Sequence, residues 1–167
     1  MAYSSDDTPT SNTSGSSTEY DQKADEGVTE YLLRLSIELV EALNERTYAD
    51  HPVMEAHLAA GWRGQFDYGQ VGALRPGRES GTAMTHNEHL EANRKVFATY
   101  PQHNIKIVDA NTSLDRGMKK GTVFMNIAVS GAPPGTTREG ITQFEWSLTS
   151  GTWLCVKHTA MISMGTV

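Results

Sequence analysis

The stretch Arg138–Ala160, REGITQFEWSLTSGTWLCVKHTA, alternates apolar and polar letters on both sides of Ser150-Gly151. A period of two marks half-buried strands, and a Ser-Gly pair between two such runs reads as a hairpin turn. With the turn centred on Ser150 and Gly151, Glu145 is expected opposite Val156, Gln143 opposite His158 and Ile141 opposite Ala160, all six on one face. The other face then collects Phe144, Trp146, Leu148, Trp153 and Cys155, with Lys157 and Met161. Gln143, Glu145 and His158 would sit among apolar neighbours, a costly place unless they are paired or face a hollow. The hairpin therefore points to a pocket, on the condition that the turn holds an even number of residues. Apolar content on both faces calls for a cover on each, helices on one side and a second subunit on the other.

Upstream of the hairpin the same period runs through HNIKIVDANTSLD and KKGTVFMNIAVSG, so four consecutive strands fill the chain from His103 onward. Asp115-Arg116-Gly117 and Ala132-Pro133-Pro134-Gly135 supply the turns between them, which makes an antiparallel meander. Ahead of the meander the period is helical. Val28, Tyr31, Leu32, Leu35, Leu39, Ala42 and Leu43 form the apolar side of a long amphipathic helix. A short second helix is expected after Asp50 as N-cap, with Pro52 in its first turn and Gly61 as its stop. Trp62, Phe66 and Tyr68 share one face of a short strand, and the glycine-rich Gly69–Met84 reads as a surface loop of the kind that covers a site. Thr85 and Glu88 then make a capping box for a third helix that Pro101 ends. Helices first and strands last, with one early strand, is an α+β arrangement: about three N-terminal helices on one face of a curved, mostly antiparallel sheet.

The 167 residues, 38% hydrophobic, suffice for one domain with one core. Residues 1–24, rich in Ser, Thr and Asp, are expected to be a disordered tail, and 25–167 the domain. A formal charge of −6 with 14 scattered Lys and Arg residues disfavours nucleic acid as a partner and leaves a small organic molecule as the simpler ligand. No apolar run is long enough for a membrane span, no secretory signal opens the chain, and the lone Cys155 forms no internal disulfide, so the expected setting is cytoplasmic. His86 and His89 stand three apart near a helix start, but no third ligand follows at motif spacing. No GxxxxGK phosphate cradle occurs. No metal and no cofactor is therefore expected.

The element order, together with the phrases YPQHNIKI and REGITQFEWSLTSGTW, resembles the nuclear transport factor two-like superfamily over residues 25 to 163, in particular its SnoaL-like members. The resemblance implies a cone-shaped half-barrel whose concave sheet face, closed by the helices, forms a ligand cavity. It also implies polyketide cyclases, scytalone dehydratase, ketosteroid isomerase and limonene epoxide hydrolase as fold relatives, beside binding modules without chemistry. Fold does not choose among these. His103 in PQH resembles a catalytic histidine of scytalone dehydratase, Tyr68 its water-holding tyrosine and Gln143 its pocket asparagine; Tyr48 and Asp50 lie near its early tyrosine and aspartate. The second histidine of that enzyme falls near Val123–Met125, which are apolar here, and this argues against the same dehydration mechanism. SnoaL-type cyclases would carry protons on an acid, and Glu145 is the acid on the matching strand.

These readings combine into an expected cofactor-independent cyclase, isomerase or dehydratase acting on a hydrophobic polyketide- or terpenoid-like molecule of secondary metabolism. His103 is expected to move a proton, with Glu145 or His158 as the second carrier. Tyr68 and Gln143 would hold the oxygen that gains negative charge, and Trp62, Phe66, Met125 and Ile127 would line the substrate pocket. The alternative is a non-catalytic binding or scaffold protein that keeps the cavity or uses the exposed, tryptophan-rich outer sheet face to dimerise; a homodimer through that outer face is the expected assembly.

Overall fold

The computed structural model describes residues 20–67 and 82–163 of the chain. Tyr68, most of the expected glycine-rich loop and most of the expected tail lie outside them. The helical stripe read from the sequence folds as α1, Val28–Asn44, and buries Tyr31, Leu32, Leu35, Leu39, Val40, Ala42 and Leu43. A fully buried leucine such as Leu32 or Leu35 contributes about 2 kcal/mol. Ahead of α1, Arg34 binds Glu26 at 2.8 Å and donates to the Asp21 carbonyl at 3.0 Å, which ties Asp21–Glu26 to the helix.

The second helix, α2, spans Pro52–His57. Its N-cap is His51, whose ring accepts from the Val53 amide, and not Asp50. The early strand, β1, begins at Leu58 and runs to Asp67, so Gly61 lies inside a strand instead of stopping a helix. The partner explains the difference: the last strand, β5 (Thr152–Ile162), pairs with β1 in parallel at Leu58↔Cys155 and, after a break in register, from Arg63↔Lys157 to Asp67↔Met161, and the first of these pairs draws the start of β1 into the sheet. The capping box of α3, His86–Thr99, is present, with the Thr85 amide donating to Glu88 at 2.8 Å and the Glu88 amide donating to Thr85 at 3.3 Å.

Four strands follow: β2 Asn104–Leu114, β3 Lys120–Ser130, β4 Thr137–Thr149 and β5 Thr152–Ile162. They form the expected antiparallel meander, and β1 joins beyond β5, giving the order β1-β5-β4-β3-β2 in one curved, unclosed sheet. The helices pack on one face. Trp146 donates from its indole to Ser36 Oγ at 3.0 Å, and Ser36 donates to Leu32 O, so α1 is pinned to the sheet centre by a satisfied buried bond. At the end of α1 the Asn44 amide mimics a strand neighbour: Nδ2 donates to Ile105 O at 2.7 Å and Oδ1 accepts from Ile105 N at 2.8 Å.

The last hairpin corrects the expected register. Its turn is the two-residue one read from the sequence, with Ser150 and Gly151 both at positive φ and Thr149 opposite Thr152. Beyond Trp146↔Cys155, however, Val156 is an extra residue on β5, a β-bulge, and the next pair is Glu145↔Lys157. His158 therefore lies opposite Phe144 and Gln143 opposite Thr159. The one-residue slip moves His158 onto the concave face with Phe144, Trp146, Trp153 and Cys155. Ile141, Gln143, Glu145, Lys157 and Met161 are left on the outer face. The tryptophans belong to the core and not to an exposed sheet face.

Candidate functional site

The concave face and the helices leave a cavity between them. It has about 70 Å³ of space for water-sized occupants. Its wall is mostly apolar, with Leu43 from α1, Phe97 from α3 and Ile105, Ile127 and Val129 from the meander. Among the described residues six polar side chains interrupt that wall: His89, Asn93, His103, Arg138, Thr142 and His158. Such a wall, apolar with a few convergent polar groups, is what small-molecule sites are made of.

His158 is buried among aromatic rings. Its ring stacks on Phe144 with centroids 4.1 Å apart and meets the edge of Phe66 at 4.8 Å. Nε2 lies 2.6 Å from Thr142 Oγ1, and the Thr142 hydroxyl reaches Thr159 O at 3.3 Å. With that hydroxyl donating to the carbonyl, His158 donates from Nε2 and its lone pair is left on Nδ1, which is buried without a partner among the described residues. Burial holds this imidazole at about 3, so it is neutral at pH 7.

His103 stands just before β2, half-buried against Phe97, with its Nδ1 likewise buried and unpartnered. Burial lowers it to about 4, and the nearby Arg46 and Arg138 guanidinium groups push in the same direction. Arg46 holds structure: it sits in the left-handed region just past α1 and donates to the carbonyls of Leu43, Asn44, Pro101 and His103 while lying over the Phe97 ring. From α3, His89 stacks on Phe66 with centroids 4.5 Å apart, and its Nε2 is 3.1 Å from Asn93 Nδ2.

The residues proposed from the sequence thus fall in several places. His103, His158, Phe66 and Ile127 line the cavity. Trp62 and Met125 are buried in the core behind it. Gln143 and Glu145 stand on the outer face, where Gln143 donates to Glu145 at 3.3 Å and Lys157 approaches Glu145 at 3.5 Å. The Val156 bulge is what separates them from His158. Tyr68 lies outside the described residues. Sequence reasoning missed Arg138, Thr142 and Asn93, and treated His89 only as a metal ligand. His86, His89, Asn93 and Phe97 recur at three-and-four spacing, a signal for one helix face in which polar letters hide the stripe.

Among the described residues no helix is long and apolar enough to cross a membrane. No protein-family model matches the chain, and no curated protein matches its sequence. Solved structures do match. An NTF2-like protein from Cytophaga hutchinsonii superposes with a TM-score of 0.54 at 13% identity, over 79% of this chain and 95% of that one. An NTF2-like protein of unknown function in nutrient uptake from Rhodospirillum rubrum gives 0.54 at 16% identity, over 80% and 98%. A loop-truncation variant of IdmH gives 0.55 at 17% identity, over 78% and 91%. At these identities the likeness is one of backbone architecture, and it agrees with the helix-covered curved sheet described above: the chain has the NTF2-like fold.

Proposed function

We propose that this chain is a cofactor-independent acid-base enzyme, a cyclase, isomerase or dehydratase acting on a hydrophobic polyketide- or terpenoid-like molecule of secondary metabolism. The observation that carries the proposal is the apolar cavity lined by two neutral histidines, His103 and His158, each with a buried nitrogen that has no partner among the described residues. A neutral imidazole facing an apolar cavity can take a proton from carbon or oxygen and return it elsewhere on the same molecule. In this reading His103 is the first proton carrier and His158 the second. Thr142 fixes the tautomer and plane of His158. Glu145, on the far side of the sheet beside Lys157, takes no part. The proposed compartment is the cytoplasm, where a lone buried thiol such as Cys155 stays reduced.

A second reading has its own observation. Val108, Ile141 and Met161 are 64%, 51% and 59% exposed, and Phe124 joins Ile141 and Met161 on the outer sheet face, which suits a homodimer that binds a ligand without transforming it. Mass spectrometry of candidate substrates incubated with wild type, His103→Ala, His158→Gln and Glu145→Gln separates the two. The enzyme reading expects a loss of roughly 100-fold or more in each histidine variant and full turnover in Glu145→Gln. Ligand binding without turnover by wild type, or equal turnover in all four proteins, refutes it.

A further inference from the structure

Among the described residues Arg138 is the one Lys or Arg side chain in the cavity wall. It sits near the start of β4, opposite Val129, on the strand face that carries Thr142 and Phe144. One terminal nitrogen, Nη2, donates to the Ala132 carbonyl, while Nε is buried and has no partner among the described residues. Among the described residues no carboxylate lines the cavity and Arg138 forms no ion pair. Arg46 differs, since its two terminal nitrogens donate to four carbonyls and its guanidinium lies over a ring face. A guanidinium stays charged at every accessible pH, and a partly buried charge with an unused donor is costly until an anion meets it. Its planar fork matches a carboxylate.

We infer that Arg138 docks a carboxylate carried by an otherwise apolar ligand, so that the cavity selects hydrophobic acids over their neutral analogues. The inference rests on the reading of the cavity as a ligand site. The anion binds at the His103 end, where the fields of Arg46 and Arg138 converge, and the carbon skeleton extends along Phe97, Ile127 and Ile105 toward His158. A carboxylate there also offsets the positive field on His103 and makes its imidazole a better proton acceptor.

The test is a matched pair of probes, octanoate and octanamide, titrated calorimetrically into wild type and Arg138→Gln. Wild type is expected to bind octanoate at least about tenfold more tightly than octanamide, and Arg138→Gln to lose that preference while holding octanamide as before. Equal affinity of wild type for both probes, or a preference that survives Arg138→Gln, overturns the carboxylate assignment and leaves the cavity as a ligand site. Failure of wild type to bind either probe removes that site, and this inference with it. A measurement on wild type alone guards against a variant that does not fold: the Arg138 Nε–H resonance should shift with octanoate and stay in place with octanamide, and no shift with octanoate overturns the assignment.

Discussion

Acid should unfold this protein partly through one side chain. The His158 imidazole is held at about 3 by burial against the ordinary value of 6.5, while in the unfolded chain it returns to the ordinary one. Above pH 6.5 neither state binds the proton. Below it the unfolded chain does and the native one does not, so stability falls by about 1.4 kcal/mol per pH unit until the pH nears the native value. Between neutrality and about pH 5 the unfolded state therefore gains about 2 kcal/mol from this group alone. His158→Gln keeps a donor for Thr142 and removes the titration. Urea unfolding at about pH 7.5 and about pH 5 should show the loss of stability between the two conditions shrinking by about 2 kcal/mol in the variant. His86 and His103, whose imidazoles are also lowered by burial, remain in both proteins and cancel. An acid-induced loss of equal size in wild type and variant would refute the claim that His158 is buried neutral.

Thr142→Val keeps the side-chain shape but strips His158 Nε2 of its hydroxyl partner; urea unfolding at neutral pH should register about 1–3 kcal/mol of destabilisation, and an unchanged midpoint would deny that the bond matters. Gly131 and Gly135 share nearly the same left-handed backbone, φ +79 and +78, but a Cβ on Gly131 would collide with the Gln102 carbonyl whereas one on Gly135 meets nothing within 4 Å. Gly131→Ala should therefore cost about 3 kcal/mol or more and Gly135→Ala about 1 kcal/mol by the same assay, and equal costs would remove the steric part of the argument.

What was legible in the sequence was local. The α1 stripe, the Thr85/Glu88 capping box, the four strands and the Ser150-Gly151 turn each depend on residues within a turn or two of one another, and the structure has all of them. What failed was set at a distance. The start of β1 depends on β5, some 97 positions away at Leu58↔Cys155, and no local signal at Ala59 or Gly61 announces a strand. The Val156 bulge leaves no compositional mark, because valine suits a regular strand equally well, yet it decides which face receives His158 and which receives Glu145. The cavity residues on α3 escaped for a related reason: a helix that faces a polar-dotted hollow shows no clean hydrophobic period.

The parallel join of β1 to β5 also constrains how the molecule can come into being. A growing chain on the ribosome exposes α1, α2 and β1 long before the strand that completes their sheet has been synthesised, so Trp62 and Phe66 must wait uncovered for nearly 100 further residues. Assembly is then governed by closure of a very large loop rather than by the local hairpins, which fold early. The antiparallel meander should act as the template on which the earlier half of the polypeptide is finally laid down.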